Sequence, residues 1–341
     1  MYLGTQLPAR NDDDYRVMKQ LGVNNICADP DGDWRQWTRP HLEQFRAKIE
    51  GFGLTLDMLQ LPMASVPVSQ AKCPDILLAG PDRDQQIDAI CQLIENCAAA
   101  GIPSVKYNFN YIGIPRTPME TGRGGARAEA FRWDLADQHA AGPAGVIDEE
   151  DIWQRATYFL SRIVPVAEAN GVRLACHPHD PATPPGYMGV TRILGTVEGL
   201  KRFVGIHESP VHGLNFCIGT LAEMLEDVSQ VPALTRWFGT RGKIMNVHFR
   251  NISGGLYSFR ETFPDDGDVD MPAVIGALHD CGYRYMVMPD HAPTLAGANE
   301  RGVAFAFCYG YIAALLQVRD KCPGALCLGP DIGQKEAAPT P

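Results

Sequence analysis

Short apolar runs alternate along this chain with longer segments of helical period. The runs are MYLGTQL (1–7), NNICAD (24–29), TLDMLQL (55–61), SVKYNFN (104–110), VRLACHPH (172–179), GLNFCIG (213–219), KIMNVHFRN (243–251) and RYMVMPD (284–290). Between them lie amphipathic stretches. In RDQQIDAICQLIENCAAAG (83–101), Ile87, Ile90, Cys91 and Ile94 recur at i, i+3, i+4 and i+7, one face of a helix. DIWQRATYFLSRIVPVAEANG (151–171) and the FAFCYGYIAALLQ stretch near the C-terminus read the same way. Strands regularly separated by helices predict βαβ units and a parallel sheet. Eight such units in 341 residues predict an α/β chain folded as a single (β/α)8 TIM barrel, spanning 1–325.

One segment exceeds what the barrel needs. Residues 111–150 follow the fourth strand, are rich in Gly and Pro, and are too long for an ordinary βα connection. A segment leaving a barrel strand at its C-terminal end lies over the mouth where such barrels keep their chemistry, so 111–150 is expected to be a lid insertion. The last residues, 334–341 (QKEAAPTP), are expected to be a disordered tail.

Composition narrows the functional classes. The chain carries 30 basic and 40 acidic residues, a formal charge of −10, with no Lys/Arg run, which argues against a nucleic-acid or anionic-membrane surface. No apolar segment is expected to span a membrane, and MYLGTQLPAR lacks the charged and apolar regions of a signal peptide. Ten cysteines without a CxxC pair do not form a small disulfide scaffold. A cytoplasmic location with reduced thiols is the expectation.

Four successive strands each end in a group suited to a metal: His177 in CHPH, Cys217 in NFCIG, His248 in NVHFRN and Asp290 in MPDHAP. Their spacing, about one βα unit each, would bring them to one rim of a barrel. Two imidazoles, a thiolate and a carboxylate suit Mn²⁺, Fe²⁺, Co²⁺ or Zn²⁺. Strand alternation puts His177 and His179 on one face and Cys176 on the other, although Pro178 bends the chain between the histidines. Asn246, His248 and Arg250 likewise share a face, which places Arg250 either to meet a substrate carboxylate with two N–H groups or to pair with a neighbouring acid.

At these residues the chain resembles the mannonate dehydratase family of xylose isomerase-like TIM barrels. The resemblance is carried by YNFNYIGIPRT (107–117), CHPHDPATPP (176–185), SPVHGLNFCIGTL (209–221), VHFRNI (247–252), GDVDM (267–271) and PDH (289–291). It implies one divalent cation, Mn²⁺ with Fe²⁺ or Co²⁺ as alternatives, on His177, Cys217, His248 and Asp290. It implies a hydro-lyase that removes water from a sugar acid or related hydroxy carboxylate. Asn108, Arg116, Asn246 and Arg250 are then expected to contact substrate, and His291 and His179 to carry the proton transfers. An isomerase or epimerase of the same superfamily, or a lyase acting on another C–O or C–C bond, is the alternative. A homo-oligomer is expected, with no partner beyond the small molecule.

The chain departs from the family pattern around this centre. His179 stands where the family has aspartate, Met288 where it has arginine and Ala292 where it has glycine, and the APTLAGANERG loop is short and lacks the family's tyrosine. These differences predict a pocket less suited to D-mannonate itself, with Met288 and Ala292 adding apolar surface. Phe131 and Trp133 of the insertion would either close over the substrate or form the lid's own core.

Overall fold

The computed structural model describes residues 1–321. Its strands, in chain order, are β1 (Tyr2–Thr5), β2 (Asn25–Cys27), β3 (Thr55–Gln60), β4 (Ser104–Asn108), β5 (Thr117–Thr121) and β6 (Arg127–Arg132). They continue with β7 (Arg173–His177), β8 (His212–Cys217), β9 (Ile244–His248), β10 (Asn251–Gly255), β11 (Ser258–Thr262) and β12 (Met286–Met288). Eight of them close a parallel barrel in the order β1-β12-β9-β8-β7-β4-β3-β2. Each barrel strand falls on one of the eight apolar runs, β8 beginning one residue before its run. The fold is the expected (β/α)8 barrel; the 334–341 segment lies outside the described residues.

Helices cover the barrel with the faces their periodicity dictates. Arg83–Ala99 buries Ile87, Ile90, Leu93, Ile94 and Cys97, while Cys91 is only half-buried at the stripe's edge. Glu149–Asn170 begins at Asp148, whose side chain accepts from the Glu150 N–H (2.9 Å), and ends at Gly171 in the left-handed region (φ 67°). The last helix, Glu300–Lys321, is long and apolar enough to cross a membrane by length and composition, which the reading of the sequence passed over. Its apolar residues have another use: Ala304, Phe305, Cys308, Tyr309 and Ile312 are buried, and the Tyr309 hydroxyl reaches Thr5 Oγ1 at 2.6 Å.

Inside the barrel the residues form two layers. A lower layer is apolar and sulfur-rich, with Cys27, Met58, Ala175, Met245, Met286 and Met288 packed together. Gly4 makes room for it, since a Cβ there would lie 2.0 Å from Met286 Sδ. Two residues further along several of these strands the side chains turn polar: Gln60 after Met58, His177 after Ala175, Asp290 after Met288. Register aligns this upper layer around the rim. Asn108 is paired with His177, Cys217 with His248, and His248 with Met288. Met288 is therefore barrel core, fully buried, and not the pocket surface expected of it.

The 111–150 insertion supplies β5 and β6, but these strands do not stand alone. A second hairpin, β10–β11, leaves the barrel directly after β9, and the two hairpins join in one antiparallel sheet of order β10-β11-β6-β5. The seam pairs Ser258 with Arg132, Phe259 with Phe131 and Arg260 with Ala130. Phe131 packs on Phe259 (6.4 Å between ring centroids) inside this layer, whereas the half-buried Trp133 packs on Tyr187 (5.2 Å) from the segment after β7. The second hairpin was not foreseen, because its strands are short and directly continue the KIMNVHFRN run.

Candidate active site

The C-terminal rim brings His177, Cys217, His248 and Asp290 together, with one donor atom of each within 4.8 Å of the others. Each donor is prepared by its surroundings. His177 Nδ1 donates to the Pro178 carbonyl (2.6 Å), which leaves Nε2 with its lone pair free. Cys217 Sγ accepts N–H groups from Thr220 (3.5 Å) and from Arg250 Nη2 (3.5 Å). His248 Nδ1 is buried without a hydrogen bond, 3.1 Å from Asp290 Oδ1. Asn215 Nδ2 lies 3.1 Å from the other ring nitrogen, Nε2, so Nδ1 is the nitrogen that faces the carboxylate. The donor set is borderline-soft, buried and converging, and it fits one divalent cation.

Under the donors lies a layer of charge that strand spacing did not reveal. Arg250 is fully buried and meets Glu261 (2.7 Å), Glu223 (2.8 Å), Asp180 (2.9 Å) and Asp290 (3.4 Å). Gly219 provides the space, for a Cβ there would sit 2.7 Å from Arg250 Nε. Arg116 bridges Asp180 (2.7 Å) and Glu261 (2.9 Å) from the inserted sheet. Burial works to raise the Asp180 and Glu261 pKa values, but for Asp180 the two guanidiniums outweigh it, and for Glu261 His291 and the same arginines do. Asp180 is held far below the usual carboxylate range and Glu261 at about 2. Glu223 is the exception: burial dominates and pushes its carboxyl well above its ordinary value.

This layer revises the substrate contacts expected from the sequence. Arg250 has no free N–H pair for a substrate carboxylate, because its guanidinium already serves the acids that underlie the metal ligands. Arg116 is likewise engaged on both sides. Asn246 is buried and donates to Asn215 Oδ1 (2.7 Å), while Asn215 Nδ2 lies 3.1 Å from His248 Nε2, so Asn246 props a ligand through an intermediate. Asn108 alone of the four lines the chamber above the donors with no tie to the charged layer.

The two candidate proton carriers separate completely. His179 is buried, bonds Phe109 O through Nε2 (2.6 Å) and accepts the Leu194 N–H at Nδ1 (3.2 Å). Burial lowers its pKa to about 3. Both ring nitrogens of His179 are satisfied by backbone, which leaves neither free toward the donors; Pro178 breaks the pleat that would have kept it beside His177. His291 is different. Its Nδ1 meets Glu261 Oε1 at 2.8 Å, Nε2 lies 3.8 Å from Asp290 Oδ1, and the side chain is 37% exposed to the chamber. Burial opposes its protonation, but Asp290 and Glu261 outweigh burial and raise its pKa to about 10.

Comparison with known proteins decides the family. A family profile described as D-mannonate dehydratase (UxuA) matches residues 138–320. A protein named mannonate dehydratase 2 from Halalkalibacterium halodurans is 32% identical over 298 residues, covering 78% of this chain and 81% of its own. The chain belongs to the mannonate dehydratase family. Mannonate dehydratase of Streptococcus agalactiae serotype V is also 32% identical, over 293 residues with the same coverage of both chains. The crystal structure of mannonate dehydratase from Streptococcus suis serotype 2 superposes with a TM-score of 0.81 at 28% identity, over 95% of this chain and 96% of the other. An L-ribulose 3-epimerase, at 14% identity and a TM-score of 0.59, shares the barrel fold alone. Within this mannonate dehydratase family member, sequence reasoning missed Glu223 and Glu261. For Glu223 the available signal was an acid inside the largely apolar segment GTLAEML; for Glu261, among the polar residues of SFRETF, there was none.

Proposed function

We propose that His177, Cys217, His248 and Asp290 hold one divalent ion, Mn²⁺ in preference to Fe²⁺ or Co²⁺, in a hydro-lyase that removes water from a sugar acid. The observation that supports it most is the convergence of those four donors above a buried arginine that neutralises the acids around them. The hydro-lyase activity on a sugar acid follows from the family, and the dehydratase reading stands over an isomerase or epimerase. A bound divalent ion supplies Lewis-acid stabilisation of the charge that builds on a carboxylate when the adjacent C2 proton leaves.

The chain's own residues supply the proton chemistry and the support. Glu261 fixes the His291 ring through Nδ1 and favours its protonated form, which turns Nε2–H toward the chamber. As the C2 proton passes to solvent, His291 donates a proton to the departing 3-hydroxyl, which leaves as water, and the resulting enol tautomerises to a 2-keto-3-deoxy acid. Arg250 positions Cys217 and Asp290 and touches no substrate. Eight cysteines among the described residues are unpaired, Cys217 included, and a thiol ligand of this kind fits a reducing, cytoplasmic setting. Self-association belongs to the same proposal: Val303, Phe307 and Val318 lie exposed on one face of the last helix, an apolar stripe of the kind homo-oligomers bury.

The test is a panel of aldonic and uronic acids that includes D-mannonate, incubated with Mn²⁺ under anaerobic conditions and read by mass. Loss of water with formation of a 2-keto-3-deoxy acid is the expected result; an isomer of unchanged mass would favour epimerase chemistry instead. D-Mannonate is expected to rank below the best acid, because the tyrosine of the family loop is missing, although the buried Met288 no longer contributes to that argument.

The ligand assignment has its own check. Cys217→Ser is expected to weaken metal binding by at least about 100-fold, beyond the range typical of changes behind the ligands. Cys176→Ser should leave metal content unchanged, since Cys176 is buried among apolar residues on the opposite strand face, where burial pushes its thiol pKa up. Equal metal loss from both variants would remove Cys217 from the ligand set.

A further inference from the structure

Three connected spaces lie along the barrel mouth. The chamber above the metal donors is small, about 80 Å³. On the β1–β3 side it shares Gln60 and Lys106 with a cavity of about 740 Å³. On the other side it shares Ile114, Asp290 and His291 with a cavity of about 420 Å³, which Arg116 and Ala292 also line. A six-carbon acid cannot fit within the chamber alone, so its two ends must leave by these two sides.

Lys106 stands at the first of these junctions. It lies in the middle of β4, in register with Ala175, a residue of the barrel's inner layer. Its ammonium donates to Gln6 Oε1, and Gln6 Nε2 in turn donates to the metal-site residue Asp290 (2.7 Å). Lys106 forms no ion pair with any described carboxylate, and among the described residues it is the one lysine or arginine lining the small chamber. The arginines nearby are consumed by Asp180, Glu223 and Glu261. Asp29 lines the same wide cavity but makes no direct ion pair with Lys106, so the ammonium keeps N–H groups that an incoming carboxylate can accept.

We infer that Lys106 is the residue that recognises the substrate's carboxylate and so fixes the direction in which a sugar acid lies across the metal site. The carboxylate sits at the Lys106–Gln6 junction, the reacting carbons lie above His177, Cys217, His248 and Asp290, and the polyol tail runs toward Ile114 and Ala292. Charge that develops on the carboxylate during C2 deprotonation then faces the ammonium as well as the metal. The wide β1–β3 cavity is the approach route, and the 420 Å³ cavity selects the tail. This inference rests on the sugar-acid reading above and adds to it which residue reads the acid.

The probes are 3-deoxy-D-gluconate, which has no 3-hydroxyl to lose, and its uncharged counterpart 3-deoxy-D-glucitol, titrated calorimetrically into Mn²⁺-loaded protein. Wild type should bind the acid at least about tenfold more tightly than the alcohol. Lys106→Met should lose about that factor for the acid, keep its affinity for the alcohol and keep its metal, and Lys106→Arg should retain most of the preference. The inference is overturned if wild type shows no preference, if Lys106→Met keeps it, or if Lys106→Met loses both ligands equally. A protein that passes this test yet dehydrates no acid of the panel would refute the lyase reading while leaving the carboxylate assignment in place.

Discussion

Arg250→Leu is expected to destabilise the protein by about 3–5 kcal/mol and to abolish stable metal binding, because removing one partner of a buried ion network leaves the others uncompensated. Three carboxylates, from Asp180, Glu261 and Asp290, lose their shared cation at once, and the Glu223 carboxyl loses its partner. Leucine also withdraws an N–H from Cys217 Sγ. The effect has a definite pH dependence. In wild type the Glu261 pKa is depressed to about 2, so its stabilising contribution is full above the ordinary glutamate range and fades as pH falls through that range toward 2. Without Arg250 burial dominates, folded-state carboxyl pKa values rise, and the variant regains stability as pH falls and protons neutralise the acids. The difference in melting temperature between wild type and Arg250→Leu should therefore narrow from pH 7 to pH 5. Thermal melts across that range, with metal content measured on the same samples, provide the comparison. A variant that melts like wild type and keeps its metal would mean that the network contributes nothing to the site.

His291→Asn is expected to lower kcat by about 10²–10⁴-fold with metal content unchanged, the usual scale for losing a positioned proton-transfer group. Asparagine keeps a polar side chain near Glu261 but cannot deliver a proton. His179→Asn makes a contrasting pair. It should reduce stability, by removing the bridge between Phe109 and Leu194, and leave kcat of the folded fraction within severalfold of wild type. Turnover numbers per folded, metal-loaded molecule separate the two, and equal kcat losses would return His179 to the catalytic group.

The barrel and its rim were legible because both depend on local periodicity. One strand per βα unit, ending in His, Cys, His or Asp, places those residues at one level whatever the packing details. The charged layer beneath them was not legible, because Asp180, Glu223 and Glu261 leave three different elements and meet only in space. Pairing with a neighbouring acid was one of the two readings of Arg250, yet nothing in VHFRNI shows that four acids meet there. The misreadings of His179 and Met288 have a common cause. Alternation was carried past the point where Pro178 breaks one strand, and the depth of Met288 within the barrel does not follow from its place in the sequence.

The seam between β6 and β11 bears on how such a roof can be engineered. Residues 127–132 and 258–260 lie more than a hundred positions apart yet share one ladder. The insertion after β4 is therefore not a cassette. Grafted alone onto another barrel, it would carry β6 as an exposed edge lacking its mate, a template for pairing with other chains. A transplant that keeps the roof must move both hairpins together, and a library aimed at the tail cavity should vary Glu129 while keeping Glu261, which lines the same cavity from the neighbouring strand but also holds His291 and Arg250.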